Sequence, residues 1–178
     1  MPRFFRFFVI FSFVLCLFSF GSLILLVFLA SKSIPNYNRT VTSALIDSEI
    51  KISRNQYAVP NIQGKTNGDT FFGLGYIHAQ DRLWQMLLLR RTAQGKLSEY
   101  FGEETLETDI LMRTLDIYNK AHKSTFHISP ESLKIIDSYS KGVNQRLIDI
   151  SEKGLGRGTP NLFFFPPKVA PWTPTDSI

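Results

Sequence analysis

The 178-residue sequence has one cysteine, three histidines and no run of Lys or Arg longer than two residues. Each scarcity removes a class of function. A lone Cys16 closes no intrachain disulfide and offers no thiolate pair for zinc. His78, His122 and His127 do not form a His-Glu-x-x-His pattern, and no loop carries the acidic spacing of a calcium site. No metal ligand is therefore assigned. The pI of 9.4 is the only feature pointing to nucleic acid. Without Arg3 and Arg6 the chain carries 18 basic and 15 acidic residues, a balance that suits a solvated surface, so no nucleic-acid partner is expected. Gly73-x-Gly75 lacks the third glycine of a dinucleotide fingerprint. It also lies inside a helical pattern instead of between strand and helix, which excludes that reading. The two glycines instead suit the close approach of another element.

Apolar residues are concentrated at the start. Nine of the 16 Phe fall in the first 30 residues, and Phe7 to Ala30 has no charge at all. As a helix this run would be about 36 Å long, enough to cross a hydrocarbon core of about 30 Å. It is longer than the apolar region of a cleavable leader and ends in Phe28-Leu29-Ala30, a poor cleavage site, so it reads as an uncleaved signal anchor. A cleaved leader is the alternative. Arg3 and Arg6 precede the run with no acid, which keeps the N-terminus cytoplasmic and places the bulk outside the cytoplasm, as in a periplasm.

Residues 31–48 are polar and without periodicity, and read as a linker. Glu49 to Arg54 alternates polar and apolar as a half-buried strand would. Tyr57 to Ile62 is a second short run, with Asn55-Gln56 between them and Pro60 restricting it to an edge or bulge. Asp69 is the expected cap of a helix ending near Gln94, with Gly95 as its stop and Arg90 and Arg91 in its last turn. "KLSEYFG" reads as a helical turn, residues 103–123 as one further helix, and Ser129-Pro130-Glu131 as the start of another running to Gly154. A Gly- and Pro-rich loop follows to Trp172. In "TPTDSI", Thr173, Pro174 and Asp176 form the capping pattern of a helix start.

The helix from Asp69 is apolar over most of its circumference, which calls for burial in a larger body. His78, Asp81, Arg82 and Gln85 fall within one wedge about 100° wide and are expected to form a buried polar network, Asp81 and Arg82 meeting partners in other segments, with a direct role at an active site as the alternative.

Taken together, "SEIKISRNQYAVPNI", "GLGYIHAQDRLWQMLLLRRTAQGKLSEYFG", Asp109 with Arg113, "SPESLKIIDSYSKGVN" and "APWTPTDSI" closely resemble the N-terminal region of penicillin acylases, N-terminal nucleophile hydrolases. The likeness covers about Ser48 to Ile178. Ala58 and Asn61 stand where the family has Gly and His, and Asn55 where Asp is common. The resemblance implies a four-layer αββα sandwich, of which this chain would supply the front: an α+β piece with a membrane helix, a short hairpin and then mainly helices. Three regions follow: an anchor at 1–30, a linker at 31–48 and a C-terminally truncated acylase-like part at 49–178.

The implied chemistry is hydrolysis of linear amides by a Ser freed by self-cleavage, with its α-amino group as base and an Asn and a backbone N–H for the oxyanion. In the family these groups lie on a second chain, and the acyl-pocket residues and the carboxylate for a structural calcium lie beyond the position of Ile178. No catalytic, substrate-binding or metal-binding residue is therefore expected here. Gly21-Ser22 and Gly158-Thr159 are the only Gly-nucleophile pairs; the first is in the apolar run and the second is followed at once by Pro160. Two expectations result: an N-terminal portion truncated or split from its catalytic part and inactive alone, which a separately encoded catalytic chain could complement, or a membrane-tethered helical binding module on the same scaffold.

Overall fold

A computed structural model describes residues 3–33, 37–38, 40–152 and 169–178. The expected loop between Gly154 and Trp172 lies mostly outside the described residues. Helix α1, Arg3–Ser33, overruns the uncharged stretch at both ends. Its span Arg3–Ser31 has a mean hydropathy of 2.7, and no residue of its most apolar stretch is buried. Among the described residues it is the one helix long and apolar enough to cross a membrane.

Strands β1, Lys51–Arg54, and β2, Pro60–Gln63, pair antiparallel with Ile52 opposite Ile62 and Arg54 opposite Pro60. The Asn55 side-chain oxygen closes the turn by accepting from the N–H groups of Tyr57 at 2.9 Å and Val59 at 3.0 Å. Ala58 sits there at φ 60°, where a Cβ crowds the following carbonyl. The departure from Gly noted in the sequence thus falls on a backbone that favours Gly.

Helix α2, Asn67–Ala93, begins one turn earlier than expected. Thr66 is the cap: its hydroxyl accepts from the Asp69 N–H at 3.0 Å and donates to the Asp69 carboxylate at 2.8 Å. Asp69 is therefore the third helical residue of a reciprocal cap, not the cap itself. The helix kinks at Arg82, whose φ and ψ are −135° and 20°. It ends as expected, with Gly95 at φ 61°. There Gly95 N–H donates to Thr92 and Lys96 N–H to Arg91, the paired bonds of a Schellman close.

Residues 103–123 do not form one helix. A 3-10 turn, Glu103–Thr105, follows α3 (Ser98–Phe101), and Asp116 in the left-handed region separates α4, Leu106–Leu115, from α5, Ile117–Ser124. Asp tolerates that conformation better than most residues. Its carboxylate accepts from Asn119 at 3.0 Å, and the break turns α5 toward the C-terminal residues, where Tyr118 reaches Asp176. Helix α6, Pro130–Glu152, starts where expected, with the Ser129 hydroxyl accepting from Ser132 N–H. The C-terminal Pro174–Ser177 turn is 3-10, and Asp176 accepts from both the N–H and the hydroxyl of Thr173.

The core lies between α2 and α6. Ala79, Leu83 and Leu87 of α2 meet Val143 and Ile150 of α6, closed at one end by Trp172. Two glycines permit this spacing. A Cβ on Gly75 would fall 2.0 Å from the Tyr139 carbonyl oxygen, and one on Gly142 would fall 1.9 Å from that of Phe72. On another side of α2, a Cβ on Gly73 would fall 2.7 Å from Ile62 of β2 and 3.1 Å from Ile50. Gly73 thus admits the hairpin and Gly75 admits α6.

Replacing Gly75 by Ala puts a methyl group into rigid backbone, so chemical unfolding of the full chain in detergent micelles should show a loss of about 3 kcal/mol or more. Ala58→Gly should act oppositely, adding about 1 kcal/mol by relieving the left-handed strain.

Candidate functional site

The polar wedge of α2 lies at the surface, not in a buried network. His78, Arg82 and Gln85 are exposed, and no side chain of the four expected residues hydrogen-bonds to another of them. Asp81 reaches a partner in another segment, the hairpin. Its two oxygens accept from Arg54 Nη1 at 2.9 Å and Nη2 at 2.8 Å, a bidentate pair whose side chains are 26% and 16% exposed. Arg54 also donates to the Ala58 carbonyl at 2.8 Å and lies 4.5 Å from the centre of the Tyr37 ring. His78 Nδ1 is 3.1 Å from the Tyr139 hydroxyl, and the rings meet edge to face. Burial raises the pKa of Tyr139, so its hydroxyl keeps its proton at neutral pH. Arg82 and Gln85 make no side-chain hydrogen bond among the described residues. Apolar periodicity indicates enclosure of the whole helix; in this chain α6 and the hairpin cover two sides of it, and the wedge with His78, Arg82 and Gln85 stays exposed.

Two buried carboxylates, Asp69 and Asp109, lie elsewhere, and each ties a connecting segment to a helix. Asp69, 3% exposed, accepts from Ser48 Oγ at 2.6 Å and from Asp47 N–H at 3.2 Å, and so fastens the end of the expected linker. The Ser48 hydroxyl bond is the largest influence on its pKa; burial opposes, the Thr66 hydroxyl and the N–H groups of Asp47 and Ser48 add to it, and the net shift is downward.

Asp109, 2% exposed, accepts from Leu97 N–H, Ser98 N–H and Ser98 Oγ, at 2.8, 2.8 and 2.6 Å. Burial alone would raise its pKa, but these bonds and the charge of Arg113 outweigh it and lower the value. Arg113 in turn donates to the Gly95 carbonyl at 2.9 Å. Arg91 pairs with Glu99 and lies 3.6 Å over the Tyr100 ring. The motif "RRTAQGKLSEYFG" with Asp109 and Arg113 is therefore one lock around the end of α2. The sequence showed the residues of this lock but not their contacts, because Asp109 pairs with residues 11 and 12 positions before it.

Arg90 serves the C-terminus. It donates to the carbonyls of Ala170 and Pro171, lies 5.1 Å from the Trp172 ring and stands 3.6 Å from Asp176. Between α2, α5, α6 and this turn runs an open apolar groove of about 580 Å3, with Phe71, Leu74, Met86, Ile117, Ile136 and Tyr139 among its walls. Among the described residues no three His, Cys, Asp or Glu side chains converge. The locks fasten segments to helices, and in the groove wall the Thr175 hydroxyl lies 3.2 Å from His122 Nδ1.

Comparison with known proteins agrees with this geometry. The sequence profile of the family described as Penicillin amidase matches residues 49–178, and the chain belongs to that family. An acyl-homoserine lactone acylase, QuiP, of Pseudomonas syringae pv. tomato is 39% identical over 104 residues, 58% of this chain and 13% of the relative. Penicillin acylase 2 proenzyme of a Pseudomonas species is 30% identical over 150 residues, 82% of this chain and 18% of the relative. Penicillin G acylase of Escherichia coli is 34% identical over 131 residues, 72% of this chain and 15% of the relative. The chain thus spans less than a fifth of the length of these relatives. A solved structure of a thermostable penicillin G acylase from Alcaligenes faecalis shares the fold, with a TM-score of 0.64 at 23% identity over 72% of this chain and 68% of that one.

Asp69 and Asp109 both have folded-state pKa values below the ordinary carboxylate value of about 3.9. Their contribution is complete above that value and is lost as pH falls through the lower, folded values. Denaturation midpoints should therefore be flat from neutral pH down to about pH 5 and fall below about pH 4. Asp109→Asn should lower the midpoint at neutral pH and shallow the acid-side fall.

Proposed function

We propose that this chain is the N-terminal portion of a penicillin-acylase-type amidohydrolase, which hydrolyses linear acyl-amide bonds and is inactive without a nucleophile-bearing chain. The observation that carries the reading is the family match along 49–178, continuous through the hairpin, the Asp109 lock and the C-terminal turn. The likeness of the helical and hairpin scaffold to an acylase supports this reading, and in the family the nucleophile belongs to a second chain. Ile110 and Leu111 of α4 are 57% and 52% exposed, and Leu89 of α2 is 63% exposed. Apolar faces of this size suit cover by a larger body, here the nucleophile-bearing part of an acylase. The full fold would be the αββα sandwich.

In this reading α1 anchors the protein in the membrane. Arg3 and Arg6 hold the N-terminus in the cytoplasm and residues 49–178 stand outside it.

The purified 178-residue chain should not hydrolyse chromogenic phenylacetyl or fatty-acyl amides, and addition of a nucleophile-bearing chain from a relative should produce turnover. Hydrolysis by the chain alone that persists after Ser22→Ala and Thr159→Ala would sink the proposal. A chain that adds no activity with any such partner, yet unfolds in one sharp transition by itself, would favour the tethered binding module.

A further inference from the structure

The turn between β1 and β2 carries an apolar tip where polar residues are usual. Tyr57 is 77% exposed and Val59 is 56% exposed. The Arg54 guanidinium beneath them donates to the Ala58 carbonyl at 2.8 Å and lies 4.5 Å from the centre of the Tyr37 ring. Tyr37, itself 53% exposed, is therefore gathered beside the same tip. The bidentate pair with Asp81 holds the guanidinium in place, so the cluster has a fixed base on α2.

Tyr37 is also the described residue that follows α1 most closely. Four residue steps separate it from Ser33, and that length of chain spans at most about 14 Å. The aromatic cluster is thus confined to the neighbourhood of the helix end. Tyrosine has an apolar ring and a polar hydroxyl, and it concentrates at the level of lipid headgroups. Two exposed tyrosines and a valine within a short reach of an apolar helix have the chemistry of an interfacial foot.

We propose that Tyr37, Tyr57 and Val59 form a second, peripheral contact with the bilayer, seating the hairpin side of the body on the headgroup layer. This rests on the reading of α1 as a membrane anchor. The contact sets orientation: with only α1 inserted the body could turn freely on its tether, and with the tip seated it cannot.

The test uses the full chain in vesicles of phosphatidylcholine and phosphatidylglycerol, with an environment-sensitive dye on single cysteines and doxyl-labelled lipids as quenchers. Cys16, the native cysteine, reports insertion of α1. Val59→Cys in a Cys16→Ser background reports the tip with both tyrosines kept, and Glu104→Cys in the same background reports an exposed position past the far end of α2. The expected result is strong quenching at 16, shallow-lipid quenching at 59 at least about twofold above that at 104, and loss of the excess at 59 in Tyr37→Ser/Tyr57→Ser. Quenching at 16 with 59 no different from 104 overturns the foot and leaves the anchor standing. No quenching at 16 overturns the anchor and the foot with it. Equal strong quenching at 59 and 104 also overturns the foot, because it marks unspecific adsorption.

Discussion

The approach of two backbones at Gly75 and Gly142 is the contact on which the other packing depends. Any side chain at either position would meet a carbonyl oxygen of the opposite helix. With both absent, α2 and α6 lie close enough for Val143 to be wholly buried and for Ala79 to fill its layer with a single methyl group. The same proximity lets the Tyr76 hydroxyl reach across to Asp149 at 2.8 Å. Dispersion is short-ranged, so helices held even slightly further apart would lose much of this contact at once. Gly73 repeats the device on another side of α2, where the β-hairpin packs. One helix thus organises both the sheet and the partner helix.

Around this pair the polar chemistry is structural. Asp69 fastens the segment leading in, Asp109 the turn leading out of α2, and Asp176 the C-terminal turn through Thr173, Tyr118 and Arg90. A buried carboxylate is costly unless it is well supplied with donors, and each of these has at least three. Such fastenings hold a scaffold in shape without doing chemistry themselves. This accords with membership of the penicillin amidase family over a stretch that is a small part of the relatives' length.

How much of this was legible depended on how local the cause was. Caps and stops could be read because they act within four residues: Gly95, Gly102, Ser129 and Thr173 all stand where the sequence put a boundary. The cap of α2 was placed three residues late because Asp69 is a good cap by type, whereas the Thr66–Asp69 pair makes Thr66 the better one. The break at Asp116 was missed because apolar spacing continues through it; its cause is distant, in the pull of the C-terminal residues on α5. The polar wedge was grouped correctly in angle, but its surroundings are tertiary. An apolar helix signals burial in the assembled protein and cannot say which side this chain covers by itself. Family likeness was legible for the opposite reason, since the motifs that carry it are short runs of sequence.

Native-state hydrogen exchange of the full chain in micelles tests the central claim most directly. If the glycine crossing holds the structure, amides of α2 around Phe72–Ala79 and of α6 around Tyr139–Arg146 should exchange slowest and as one group, with α4 and α5 opening earlier. Exchange at the crossing as fast as in α4 and α5 would contradict the account, because the molecule would then have no cooperative centre there.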